Sequence, residues 1–198
     1  SNPVRWTDPT GEFTFDRDFL AALIKYIQII NSLDKKGCKY SLVPRHCDDS
    51  DRPTSAVGIA MIPPGYGPCQ GTAIVTICTN RFPSGSTLTD YMQTVIHEMS
   101  HVLQGCYGSP SIEQFPADPS IPEKDQSRYR ICATCLCKEI QATSYSGACN
   151  RNGMFRRQNP KQSRRSCVSG AALSSCLDSG ACPSLQEGII TNAATKAA

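Results

Sequence analysis

Phe19, Leu20, Leu23, Ile24, Ile27, Ile30 and Leu33 recur every three or four positions, the spacing that gathers apolar side chains on one face of an α-helix. Asp16 or Asp18 can cap this helix, and Gly37 stops it. A second stripe, Leu88, Met92, Val95, Ile96, Met99, Val102 and Leu103, predicts a helix over 88–104. Thr87-Leu88-Thr89-Asp90 opens it as a capping box, and Gly105 supplies a stop. A third helix is predicted over 126–146, capped by Asp125 and ended by Gly147. On it Cys132, Cys135, Leu136, Glu139, Ala142 and Thr143 share a face, so Glu139 points with the buried residues. A carboxylate in such surroundings needs a cation or donor beside it.

Between the first two helices Pro44, Pro53, Pro63, Pro64 and Pro68 break the chain into loops with short strand pieces, one of them at 57–62. The β-branched run 72–79 is the strongest strand signal. It reads equally well as a central strand or as a cleft-edge strand able to pair with an extended peptide. Residues 1–15 lack periodicity and read as a surface arm, 107–124 as a Pro- and Ser-rich excursion over a cleft, and 183–198 as a tail beyond a 16–182 core. These elements predict one α+β domain.

The 198 residues carry 20 basic and 17 acidic side chains, a balance of +3 that argues for neither nucleic acid nor a membrane surface as partner. Lys25 and Gln28 interrupt the longest apolar stretch, so no integral membrane segment is expected. Twelve cysteines, an even number, predict a disulfide-rich fold made in an oxidising compartment. The competing reading is a structural metal site at Cys132-Ala133-Thr134-Cys135, but no second C-x-x-C pair completes it. Arg156, Arg157, Lys161, Arg164 and Arg165 read as a solvated loop, or alternatively as a partner surface.

The chemistry concentrates in His97-Glu98-Met99-Ser100-His101, an H-E-x-x-H string inside the second helix. A spacing of four leaves the two imidazoles about 40° apart around the helix axis, so both can reach one zinc ion. Glu98 then lies beside the metal, where it can take a proton from an activated water and pass it to a leaving amine. A hydrolytic site needs a third protein ligand. The candidates are His46, Asp118, Asp125 and Glu139, and Glu139 fits a two-histidine-plus-glutamate set best. Gln104 and Gly108 stand where the metzincin pattern requires glycine and a ligand, which excludes that class.

The string Cys137-Lys138-Glu139-Ile140-Gln141-Ala142-Thr143-Ser144-Tyr145-Ser146-Gly147-Ala148-Cys149, following an H-E-x-x-H helix, resembles the mitochondrial intermembrane-space metalloproteases that process an ATP synthase subunit. In that family a C-x-E-[IV]-R-A segment leads into L-S-G-D-C. Asp34-Lys35-Lys36-Gly37-Cys38, the run 74–80, and Cys167-Val168 with Ala171 and Ser174 have counterparts in the same order, so the likeness covers about residues 20–182. The resemblance implies a compact, single-domain zincin-like metalloprotease with a small sheet, an H-E-x-x-H active-site helix and Glu139 as third ligand. The chain departs from the family at Gln104, usually an acid, at Thr134 and Cys135, near a usual histidine, at Gln141 for Arg and at Ala148 for Asp.

The expected function is therefore zinc-dependent endopeptidase action on a protein or peptide substrate, with one catalytic Zn²⁺ held by His97, His101 and Glu139 and with Glu98 as general base. The alternative is a disulfide-stapled, zinc-containing binding or assembly module without proteolytic activity. A zinc hydrolase of some non-peptide amide ranks third. The expected setting is extracellular or the mitochondrial intermembrane space. Tyr66, Tyr107 and Tyr145 are candidate oxyanion donors, none of them assigned.

Overall fold

The first helical stripe folds as α1 (Arg17–Lys36), but turned on its axis from the face the sequence suggests. Phe19, Ala22, Ile29 and Leu33 are buried, whereas Leu20, Ile24 and Ile27 face outward. Apolar residues nearly encircle this helix, so periodicity alone leaves the inward direction open, and the small Ala22 joins the packed side. Gly37, at φ +72°, ends α1 in a Schellman arrangement, with Gly37 N–H donating to Asp34 O and Cys38 N–H to Leu33 O, both at 3.0 Å.

The structure, a computed structural model, describes residues 17–51, 56–108, 115 and 117–182. The 1–15 arm and the 183–198 tail lie outside these residues, as do 109–114 and 116 of the excursion. After α1 come β1 (Lys39–Arg45), β2 (Gly58–Met61), β3 (Thr72–Cys78), a 3-10 turn at Thr79–Arg81, α2 (Leu88–Tyr107), α3 (Glu123–Ser146), α4 (Met154–Gln158) and α5 (Arg164–Asp178). The fold is α+β with a three-stranded sheet in the order β1-β3-β2.

β1 runs parallel to β3 and β2 antiparallel to it. The 72–79 run is therefore the central strand, both of its edges taken, which rules it out as the strand that pairs with a peptide. Its residues Ala73, Val75 and Ile77 are fully buried against Val95, Ile96, Met99 and Val102 of α2 and Ile29 and Leu33 of α1. β1 and β2 arise from the proline-rich stretch where loops with short strand pieces are expected, β2 falling within the 57–62 piece. Pro44 is accommodated because β1 is an edge strand.

The capping box opens α2 as expected: Thr87 Oγ1 accepts from Asp90 N–H, and Asp90 Oδ2 accepts from Thr87 N–H. Gly105 does not stop the helix. It lies inside α2, where a Cβ would come 3.0 Å from Ile62 and 3.2 Å from Tyr66, and Gly108 at φ +81° ends the helix instead. α3 likewise starts three residues before expectation, with Pro122 at its N-cap and Asp125 in its first turn.

The arginine-rich stretch is loop only around Lys161: Arg156 and Arg157 lie in α4, and Arg164 and Arg165 open α5. Arg157 Nη2 donates to Oδ2 of the fully buried Asp90 at 2.5 Å, and Arg164 reaches Ser144, so two of its five cations tie helices together. The buried line of α5 is Cys167, Val168, Ala172 and Cys176, small or sulfur-bearing residues that give a weak helical stripe. Disulfides do the fastening. Cys132–Cys182, Cys135–Cys176 and Cys149–Cys167 staple α5 and its flanks to α3 and its end, Cys38–Cys106 joins the end of α1 to α2, and Cys47–Cys78 joins β1 to β3. Cys132 and Cys135 therefore form no metal site. Each bridge contributes roughly 2–4 kcal/mol by constraining the unfolded chain.

Cys69 and Cys137 remain as thiols, the first exposed and the second half-buried. Alkylation of the native, unreduced protein is expected to label Cys69 first and Cys137 more slowly, with peptide mapping recovering the five pairs above. Label on Cys132, Cys135 or Cys176 would contradict this arrangement.

Candidate metal centre

One helical turn separates His97 from His101, and both rings leave α2 on the side facing α3. Glu139 comes from the middle of α3 to meet them. His97 Nε2 lies 3.2 Å from Glu139 Oε2, His101 Nε2 lies 3.2 Å from Glu139 Oε1, and the two Nε2 atoms lie 3.2 Å apart. The three side chains are mostly buried, with 18, 14 and 13% of their surface exposed. Burial matters because four lone-pair atoms so close together, shielded from water, repel one another unless a cation or proton lies among them.

This group can hold a metal ion. Glu139 Oε2 is buried and has no hydrogen-bond partner of acceptable geometry despite its nearness to His97, the condition of an oxygen whose proper neighbour is a cation. The other candidate ligands lie elsewhere. His46 is exposed at the end of β1, Asp118 Oδ1 accepts from Ser120 N–H and Oγ, and Asp125 sits in the first turn of α3.

Supporting contacts orient the ligands. Gln104 Nε2 donates to Lys138 O (3.1 Å) and Gln141 Oε1 (3.2 Å), which leaves Gln104 Oε1 to accept from His101 Nδ1–H at 3.0 Å. That bond fixes the tautomer in which His101 Nε2 carries the lone pair. Sequence reading noted Gln104 only as a departure from a family pattern; its place three residues after a ligand histidine on one helix was the available signal.

Glu98 does not join the triangle. Its carboxylate tucks beneath β2, accepting a hydrogen bond from Ala60 N–H, and the side chain is buried. Burial pushes its pKa up, outweighing the opposing pull of His97, His101 and the Ala60 N–H. Burial alone would lower the pKa of His101, but the hydrogen bond and charge of Glu139, with help from Glu98 and Gln104, push it up to about 9. For Glu139 burial acts upward, and contact with His101 and His97 overrides it, holding the carboxyl well below the usual range.

Beside the triangle opens a cleft of about 630 Å³. Gly58 and Val57 form one wall, and Gln158, Gln162, Ala171 and Ser174 of the α4–α5 region form the other. Ala171 and Ser174 entered the sequence reading only through the family resemblance, which did not mark them as a wall of the site. None of the three tyrosines considered as oxyanion donors lines the cleft: their hydroxyls donate to Lys39 O (Tyr66), Ser32 O (Tyr107) and Gln28 Oε1 (Tyr145).

Compared with protein-family models, curated proteins and solved structures, the chain matches none. Its function must be argued from its own geometry.

In the metal-free protein at pH 7, His101 holds a proton that it must lose to donate its lone pair, because its pKa lies near 9. Calorimetric titration with a divalent ion is expected to show a heat that varies with the ionisation enthalpy of the buffer, reporting proton release. A buffer-independent heat would contradict the His101–Glu139 pairing. Gln104→Ala is expected to weaken metal affinity by about 10- to 100-fold.

Proposed function

We propose that this protein is a zinc-dependent endopeptidase of zincin-like architecture, with His97, His101 and Glu139 as zinc ligands and Glu98 as general base. The observation that carries the reading is the convergence of His97, His101 and Glu139, each imidazole Nε2 lying 3.2 Å from one oxygen of the carboxylate and from the other Nε2. A tetrahedral ion with metal–ligand bonds of about 2.0–2.1 Å separates its ligands by about 3.3 Å, close to the 3.2 Å between the two Nε2 atoms, and an oxygen of Glu139 completes the set. Two neutral imidazoles and one carboxylate are also the donor set of hydrolytic zinc, which keeps a fourth position open. The adjacent cleft supplies that opening and room for a chain segment.

Zinc bound there would supply a Lewis acid for the scissile carbonyl and for the attacking water. The remaining steps belong to the chain. Glu98, its basicity raised by burial, takes the proton from the water as its oxygen attacks the carbonyl carbon. When the C–N bond breaks, the same carboxyl returns that proton to the leaving amine. Glu139 stays ionised as a ligand because its two oxygens face the imidazoles. Gln104 keeps His101 in the donating tautomer.

Kinship with the intermembrane-space proteases gains support from an unexpected contact. The two positions where this chain replaces the family's acid and arginine, Gln104 and Gln141, touch each other through an amide–amide hydrogen bond of 3.2 Å. Two departures from the family pattern that meet at one contact are what coupled divergence from such a site would produce. Five disulfides agree with an oxidising environment, and the proposal extends this to secretion or the mitochondrial intermembrane space. Among the described residues no helix is long and apolar enough to cross a membrane.

Digestion of a denatured protein, with and without a chelator, tests the activity and separates it from a zinc-holding assembly module. Chelator-sensitive cleavage is expected. Glu98→Gln should retain one zinc per chain while kcat falls by at least about 100-fold; full metal with unchanged turnover would remove Glu98 from the mechanism.

A further inference from the structure

β2 does more than close the edge of the sheet. Val57 O accepts from Cys78 N–H at 2.9 Å, which makes Val57, Ile59 and Met61 the residues bonded to β3 and turns the backbone groups of Gly58 and Ala60 toward the free side. The free side is where Glu98 lies. Ala60 N–H meets its carboxylate, and Gly58 lies flat against its side chain.

The fit at Gly58 is close. A Cβ there would stand 2.6 Å from Glu98 Cγ, 2.7 Å from Oε1 and 2.9 Å from Cδ, all inside van der Waals contact. Gly58 sits in an ordinary strand and is not among the glycines with positive φ, so its backbone conformation does not call for glycine. Nor is the obstacle the backbone, as it is at Gly153, where a Cβ would meet Ala148 O at 2.2 Å. All three nearest atoms at Gly58 belong to one side chain, and that side chain is the proposed base.

The geometry points to Gly58 as the positioning residue of the Glu98 base: the missing methyl makes the seat in which β2 holds the carboxylate, with Ala60 N–H fixing its far end. The assignment rests on the endopeptidase reading for its catalytic half and on packing for its structural half. A methyl at position 58 pushes the carboxylate off the Ala60 N–H and out of line with the attacking water. Displacement of this kind lowers turnover while leaving the metal ligands and the cleft in place.

Two measurements test it. Thermal melting of the metal-free protein compares Gly58→Ala in the presence of Glu98 and in a Glu98→Ala background. The melting temperature is expected to fall by ~5 °C with Glu98 present and to hold or rise without it. An equal fall in both backgrounds overturns the proposal, because glycine would then serve the strand. Should Gly58→Ala alone fail to fold, recovery of the fold in the double variant supports the seat, and failure of both refutes it. In the zinc-loaded protein, kcat of Gly58→Ala is expected to drop about 10- to 100-fold with zinc content unchanged and KM within about twofold. Unchanged kcat also overturns the positioning role. A wild-type protein inert toward peptides would defeat the endopeptidase reading, and the melting comparison would still decide whether Gly58 seats Glu98.

Discussion

A carboxylate held away from water beside two imidazoles is stable only with positive charge among them, and this constraint organises the molecule around α2 and α3. In the metal-free protein the proton on His101 supplies that charge; a bound divalent ion supplies it more fully. Either way the two helices must keep their spacing to a fraction of an ångström, since His97 and His101 ride on one and Glu139 on the other. Gln104 bridges them directly, bonding to Lys138 O and Gln141 of α3. Gln93 does the same at the other end of α2, joining Gly147 O and the Met154 N–H.

The two sides of the site are stabilised differently. α2 rests on an apolar core shared with α1 and the sheet, in which Leu33, Val75, Ile77, Ile96, Met99 and Val102 are fully or almost fully buried. α3 and α5 share a smaller cluster of Ile121, Tyr129, Leu136, Ala172 and three cysteines, and three disulfides supplement its limited apolar burial. The cleft opens where these two halves meet, with Glu98 on the sheet side and the α4–α5 wall opposite. Asp90 and Arg157 join α2 to α4, a buried carboxylate that both caps α2 and anchors α4.

Legibility in the sequence followed the range of the interaction. The capping box at Thr87 and Asp90, the Gly37 stop and the inward face of Glu139 were all readable, since each depends on residues within a turn or two. The face of α1 was not, because Leu20, Ile24 and Ile27 are as apolar as the residues that won the core place; α2 and the sheet made that choice. Gly105 was misread for a related reason. A glycine near a helix end looks like a stop, but the approach of Ile62 and Tyr66 gave it a packing role. α5 escaped notice because its buried line is built of Cys, Val and Ala, whose inward direction is set by disulfides more than by apolar bulk.

Residue order was sufficient for the H-E-x-x-H string, the helices around it and the expectation that cysteines would pair, because hydrogen-bonding rings, caps and side-chain periodicity close within a few positions. It left four candidates for the third donor, two roles for the 72–79 strand and every disulfide partner open. Folding chose Glu139 over His46, Asp118 and Asp125, made β3 central and β2 the edge, and brought Gly58 against Glu98. Those outcomes rest on contacts between segments far apart in the chain, where the energy of any one pairing depends on how all the others pack.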